Sequence, residues 1–302
     1  MQRAIGNRAL TRALRAQLAR ARPDVKPEDS KYPVQEVYGR PFPRDPKPED
    51  VRQGMIGSCA LMSTLEALAR SDSGRDYLRK AITPNGPSDK YNVTLIDPRS
   101  VKFRSTPQSH VVEVDAWFPL DNGNFHYALK GWKAPTRANP SDIPLWPAII
   151  ESAYALVVSR SAHPDTGYPA KASYAAIEHD TIASGDNPLK ALTGSAVRVE
   201  KITDIDRFEQ RAPAEIPSAL QRGLPVTAGA GAYKHQYSVV EADARGLKIR
   251  DPNRELTGSF PEAGEKWTPD ERGSWTITWR QFHTYFADYV TVRSEHAESW
   301  KK

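Results

Sequence analysis

The sequence predicts an α+β fold in two lobes: a helical lobe that carries the chain's single cysteine and a β-rich lobe that carries a framed histidine. Three observations support this. Leu61, Leu65 and Leu68 recur at spacings of four and three behind Cys59, which gives one apolar helical face. After His235, Tyr237 and Val239 alternate with Ser238 and Val240, the period of a strand. Between these segments strand-like and helix-like pieces follow one another with no internal repeat.

Along the chain, residues 1–22 read as a basic amphipathic arm. Ile5, Ala9, Leu10, Ala13 and Leu14 recur at helical spacing, and Arg3, Arg8, Arg12, Arg15, Arg20 and Arg22 stand among them with no acidic residue. The arm carries +6 of a chain whose net charge is +5, so the other 280 residues carry −1. The body therefore has no net charge that would draw it to nucleic acid. Residues 23–50 hold Pro33, Pro41, Pro43, Pro46 and Pro48 and read as a linker, an extended strap against the body with no regular element of its own. Residues 51–195 form the lobe with the Cys59 helix, with strand-like pieces at 91–96, 111–118 and 125–130 and a helix over 146–158. Residues 196–293 form the strand-rich lobe around His235 and Asp251, and 294–302 form a polar tail.

Hydrophobic residues make up 39% of the chain, the content of a soluble globular enzyme. No run approaches the ~20 apolar residues that span a bilayer. The N-terminus lacks the apolar stretch of a secretory signal. A lone cysteine gives no sign of an oxidising compartment.

Cys59 ends the run Gln53-Gly54-Met55-Ile56-Gly57-Ser58-Cys59 and opens the apolar helix. A thiol there faces unpaired backbone N–H groups and the positive end of the helix dipole, both of which favour thiolate over thiol. The glycines permit a tight turn, which brings the Gln53 amide beside the sulfur as an oxyanion donor. The plain alternative is a buried cysteine that packs as a small hydrophobe.

A base is found in His235, at the start of the strand that ends in the turn Asp243-Ala244-Arg245-Gly246. Leu247-Lys248-Ile249-Arg250 returns as a second strand and stops at Asp251-Pro252-Asn253. In an antiparallel pair those two ends are neighbours, so Asp251 can accept the imidazole N–H and leave the other ring nitrogen for the thiol. His110 and His126 lie in strand-like segments, His163 beside a proline, His179 before an aspartate, His283 among aromatics and His296 in the tail. None has such a frame. No metal motif or phosphate loop occurs, and Ala228-Gly229-Ala230-Gly231 reads as flexible backbone before the histidine.

These residues resemble the calpain-type core of the papain-like cysteine peptidases. Gln53-Gly54 through Gly57-Ser58-Cys59 is similar to that family's nucleophile segment. Leu145-Trp146-Pro147 through Glu151-Ser152-Ala153-Tyr154-Ala155 resembles its Trp-rich helix, and Pro188 through Gly194 its Ala-Leu-Thr-Gly segment. Ile216 through Gly223 and His235-Gln236-Tyr237-Ser238-Val239 follow in the family's order, and Trp279 through Phe286 resembles its closing element. The resemblance covers about residues 33–293 and implies a two-lobed papain-like core with Cys59, His235 and Asp251 catalytic and Gln53 in the oxyanion hole. Two departures stand out. Asp251-Pro252-Asn253 replaces Asn-Pro-Trp, as in papain-like bacterial effector proteases, and the missing tryptophan implies a His–Asp bond less shielded from water. Ala60 replaces the tryptophan that commonly follows the nucleophile, which implies looser packing below the site.

The function implied is a cysteine endopeptidase acting on a protein or peptide substrate, with no cofactor. Calcium dependence stays open, since the calcium loops of animal calpain cores find no residue-by-residue match. A transglutaminase-like or deamidating toxin uses the same three residue types in the same order, and a catalytically dead binding module is the remaining alternative. Residues 1–22 resemble a segment of bacterial polymorphic toxins and contractile-injection cargo. That implies loading into a secretion or injection apparatus, from a bacterial cytoplasm to a target cell. A membrane-surface helix, a mitochondrial presequence and a solvated helix remain as other readings of the arm.

Overall fold

A computed structural model describes residues 34–85, 90–102, 106–139, 141–162, 174, 176–177, 185–202, 205–230, 234–253, 270 and 273–293. The arm at 1–22, residues 23–33 of the linker, His163, His179, His296 and the tail at 294–302 lie outside the described residues.

The fold is mixed α+β. Its first part runs β1 (Val34–Glu36), α1 (Cys59–Ala69), α2 (Asp72–Ala81), β2 (Ile82–Pro84), β3 (Lys90–Ile96), β4 (Ser109–Asp115), β5 (Trp117–Asp121), β6 (Asn124–Phe125), α3 (Trp146–Ala162) and α4 (Asn187–Thr193). The strands make two small antiparallel sheets, ordered β1-β5-β6 and β2-β3-β4. The second part runs β7 (Val197–Lys201), α5 (Ile205–Gln221), β8 (Val226–Ala230), β9 (His235–Asp243), β10 (Gly246–Arg250), β11 (Ser274–Thr278), α6 (Trp279–Tyr285) and β12 (Asp288–Val292). Its strands form one six-stranded antiparallel sheet, ordered β11-β10-β9-β8-β12-β7.

Helix α1 lies at the centre, with all eleven of its residues buried. A helix enclosed on every side must satisfy its polar side chains internally. Ser63 and Thr64 do so by donating to the Ala60 carbonyl at 3.2 and 2.8 Å. Ala60, in place of the bulky tryptophan, is 1% exposed. The helix packs on β9 and β8.

That packing overturns the reading of Ala228-Gly229-Ala230 as flexible backbone. The segment is strand β8, bonded to β9 on one side and β12 on the other. Its small side chains fit the crowding there, since a Cβ on Gly229 would come within 2.6 Å of an Asp288 carboxylate oxygen.

Two further expectations change. β6 stops at Phe125, and residues 126–130 turn instead of extending, with Leu129 in the left-handed region at φ 68°. His126 therefore sits in a turn. The proline-rich strap also holds regular pieces. Val34–Glu36, which contains no proline, pairs with β5, and Pro48–Asp50 makes a 3-10 turn. Asp50, fully buried, ties this strap down by accepting the Lys47 N–H at 2.9 Å and the Trp146 indole N–H at 3.2 Å.

Asp243 closes the β9–β10 turn by accepting the N–H groups of Arg245 and Gly246 at 2.8 and 3.2 Å. The ladder then pairs Lys248 with Glu241 but Ile249 with Val239, so Val240 is an extra residue, a β-bulge. No helix among the described residues is long and apolar enough to cross a membrane.

Candidate active site

Cys59 is the first residue of α1 and 9% exposed. Ser58 precedes it as N-cap but makes no capping bond with its side chain, so the first N–H groups of the helix keep no intrahelical or side-chain acceptor at this end.

The loop 52–58 in front of Cys59 is held from two sides. The Gln53 N–H donates to the Pro252 carbonyl at 2.8 Å, which ties it to the Asp251 segment. Its side-chain amide donates to the Ile56 carbonyl at 2.9 Å, which leaves the second amide hydrogen for another acceptor. On the other side the turn at 126–129 grips the loop. Met55 N–H donates to the His126 carbonyl at 3.2 Å and Leu129 N–H to the Arg52 carbonyl at 2.9 Å. Gly54 is needed for close approach: a Cβ there would come within 2.3 Å of the Tyr127 backbone.

His235 opens β9, and its Nε2 lies 2.7 Å from Asp251 Oδ1. The same oxygen accepts the Asn253 N–H at 2.7 Å. With Nε2 committed to the carboxylate, Nδ1 remains for Cys59, whose side chain acts on the imidazole and raises its pKa. Burial on its own pushes the His235 pKa down. The hydrogen bond to Asp251, then that to Cys59, and the charges of both overcome burial and raise it to about 9. The imidazole is thus held charged near neutral pH, ready to stabilise a thiolate and to donate a proton.

The His–Asp bond is well shielded despite the missing tryptophan. Asp251 is 1% exposed and the His235 side chain 13%. The Tyr237 ring meets His235 edge-on at 4.8 Å and in turn packs on Trp275 and Phe286. A chain-neighbouring aromatic two residues along the strand does the covering here, on the histidine's own face.

A second buried tie fixes α1 against the sheet. Ser238, three residues after His235, donates to Glu66 at 2.8 Å. The Arg250 guanidinium lies 3.1 Å from the other Glu66 oxygen and 3.0 Å from Glu49. Glu66 stands seven residues after Cys59, about two turns along the same face. Arg250 is the residue before Asp251. The network therefore holds the nucleophile's helix and both strands of the hairpin in one register.

His235 and Asp251 are hydrogen-bonded, Cys59 acts on the His235 pKa, and Gln53 is tied through its N–H to Pro252, the residue after Asp251. Sequence reasoning gave no role to Ser58, Glu66, Tyr237 or Arg250. The available signal was a glutamate and an arginine inside otherwise apolar runs, where burial demands a partner. Two cavities of about 470 and 730 Å³ lie at the far end of α1, around Arg70 and Glu241, and neither is lined by Gln53, Cys59, His235 or Asp251. Among the described residues no cluster of histidine, cysteine and carboxylate side chains is arranged to hold a metal ion. No protein-family model and no curated protein matches the chain.

Proposed function

We propose that the chain is a cysteine endopeptidase with a two-lobed papain-like core of the calpain type, cleaving peptide bonds through Cys59, His235 and Asp251. The observation that carries this reading is the contact chain from Cys59 to His235 to Asp251, residues 59, 235 and 251 brought together with the histidine pKa raised to about 9. A peptide carbonyl set against Cys59 is attacked by the thiolate, which forms a tetrahedral oxyanion. The Gln53 amide and the Cys59 N–H hold that charge. His235 gives its proton to the departing amine, and the acyl-enzyme is left. Water then attacks with His235 as base, which releases the acid and returns the thiol.

Purified wild type and Cys59→Ala, each incubated with a proteome with and without calcium, test the reading by mapping new N-termini. Wild type alone should produce them, with loss of at least ~10⁴-fold in Cys59→Ala and in His235→Ala. Substantial cleavage by folded Cys59→Ala rejects the assignment. A transglutaminase-like or deamidating activity is favoured by one feature, aspartate in place of asparagine at 251. Mass spectrometry separates the two, since deamidation adds about one dalton and makes no new terminus. For residues 1–22 the reading is delivery, as cargo of a bacterial secretion or injection apparatus, on their charge and pattern.

A further inference from the structure

Glu151 is a carboxylic acid buried beneath the candidate site, and the mechanism above does not use it. It lies on α3, 1% exposed. Its Oε2 accepts the Ala128 N–H at 2.9 Å. Its other oxygen, Oε1, and the Ser58 hydroxyl are both buried without a hydrogen-bond partner, and the Ser58 side chain is among the groups that lower the Glu151 pKa. Ser58 is the N-cap whose side chain makes no capping bond. Ala128 belongs to the turn that grips the Gln53 loop through His126, Tyr127 and Leu129. One carboxyl group is therefore bonded to the clamp on the oxyanion loop and interacts electrostatically with the residue before the nucleophile.

We propose that Glu151 is a positioning residue for the Cys59 thiol, acting through Ser58 and the 126–129 turn, and that its proton sets how readily the thiol reacts. The inference rests on Cys59 being the nucleophile assigned above. Among the described residues the groups that face Glu151 are few. Tyr174 interacts with it electrostatically and has its own pKa pushed up, first by burial and then by this carboxyl. Tyr127 stacks on Tyr174, and Ser152 shares a 2.6 Å hydrogen bond with the Tyr174 hydroxyl. Cys59 follows Ser58 on α1. Strands β3 and β4, which pack on α3, turn Tyr91, Val93, Leu95, Val112 and Val114 inward and bring no charge.

Burial raises the Glu151 pKa to about 7, against the Ala128 N–H and the Ser58 hydroxyl, which both lower it. Protonated, the carboxyl donates to one neighbour and accepts from the other in a neutral pocket. Ionised, it places a negative charge that interacts with Ser58, the residue before the nucleophile, and like charges in a dry pocket disfavour the thiolate.

Cys59 is the only cysteine of the chain, so alkylation by iodoacetamide reads one thiol. The experiment compares full-length wild type, Glu151→Gln and Glu151→Ala from roughly pH 5 to 9, with the fold checked by circular dichroism. A glutamine keeps the bond from the Ala128 N–H and cannot ionise. Its alkylation rate should match wild type in acid and exceed it, by severalfold, above the pH of about 7 where Glu151 ionises. Folded Glu151→Ala should react on the order of 10-fold more slowly throughout, because helix start and loop lose their common tie. Superimposable profiles for the glutamine variant and wild type overturn the proposal, whatever the alanine variant does. Alkylation needs no peptide substrate. A wild type that alkylates as described but cleaves nothing overturns the peptidase reading alone; a wild type that cleaves, with the two profiles superimposed, overturns this inference alone.

Discussion

Asp251 owes its role to a single oxygen that accepts both the His235 Nε2–H and the Asn253 N–H. The Asn253 contribution comes from its backbone, so Asn253→Ala keeps it and should change turnover little. Asp251→Ala removes the acceptor and should lower turnover on the order of 10²-fold, less than loss of the nucleophile. A larger loss in Asn253→Ala means that the wrong residue of the pair has been assigned. The charge on Asp251 also sets a pH signature. The His235 pKa is raised from 6.5 to about 9, so the stability its proton lends is complete below about 6.5 and disappears as pH rises through about 9. The alkaline limb of kcat/KM should fall in that same upper range and move lower by about one unit or more in Asp251→Asn. A limb that stays in place means the carboxylate charge is not what holds the proton. These residues were legible in the sequence because each stands at the end of a periodic segment, where chemistry is not obscured by packing. The partners beneath them were not. That an uncapped Ser58 interacts with Glu151 depends on what α3 brings alongside, and α3 is about ninety residues further on.

At the scale of elements, α1 is joined to the hairpin by buried charge as well as by apolar packing. Glu66 and Arg250 are 0% and 2% exposed. Removing one member of such a pair leaves the other charged and desolvated, which costs about 3–5 kcal/mol, more than the pair itself contributes. Glu66→Ala should therefore lower unfolding free energy by that amount in urea titration, and Glu66→Gln by less, since the amide still accepts from Ser238. A change in Glu66→Ala below about 1 kcal/mol would show that water reaches Arg250 and that the tie is not a clamp. Helical and strand periods predicted α1, α3, β9 and β10 closely, because one or two faces of each are apolar. They misjudged β8 and residues 126–130. Small residues in β8 carry no alternation to read, and apolar residues at 125–129 serve a turn whose shape is fixed by the loop it grips.

For the molecule as a whole, charge and chemistry are segregated. The excess positive charge belongs to residues 1–22, and the four residues of the site lie between 53 and 251. A truncation beginning near Asp24 should fold and turn over a peptide at close to the full-length rate, while losing loading into a secretion particle. A soluble but inactive truncation would assign the arm to the catalytic domain. The strap at 34–50 behaves differently from the arm in this respect. Asp50 and its contacts to Lys47 and Trp146 make it part of the body, so a cut beyond residue 34 should destabilise the fold measurably in thermal melts.

The bulge at Val240 carries a consequence of parity. Facing residues of an antiparallel pair share one side of the sheet, and neighbours along a strand alternate sides. In the register that holds for Ile249 with Val239 and Arg250 with Ser238, the next step sets Asp251 opposite Tyr237, on the side His235 occupies. In the register of the turn-proximal pairs, the same step would set Asp251 opposite Ser238, on the other side. Leaving one residue out of the ladder, at a position that adds no functional group, decides whether the acid and the base can meet. Deleting Val240 should therefore give a regular hairpin in which Asp251 still faces Tyr237, Cys59 still alkylates and the pH limb near 9 is kept. Loss of that limb would mean that the bend of the bulge, and not the register, brings the pair together.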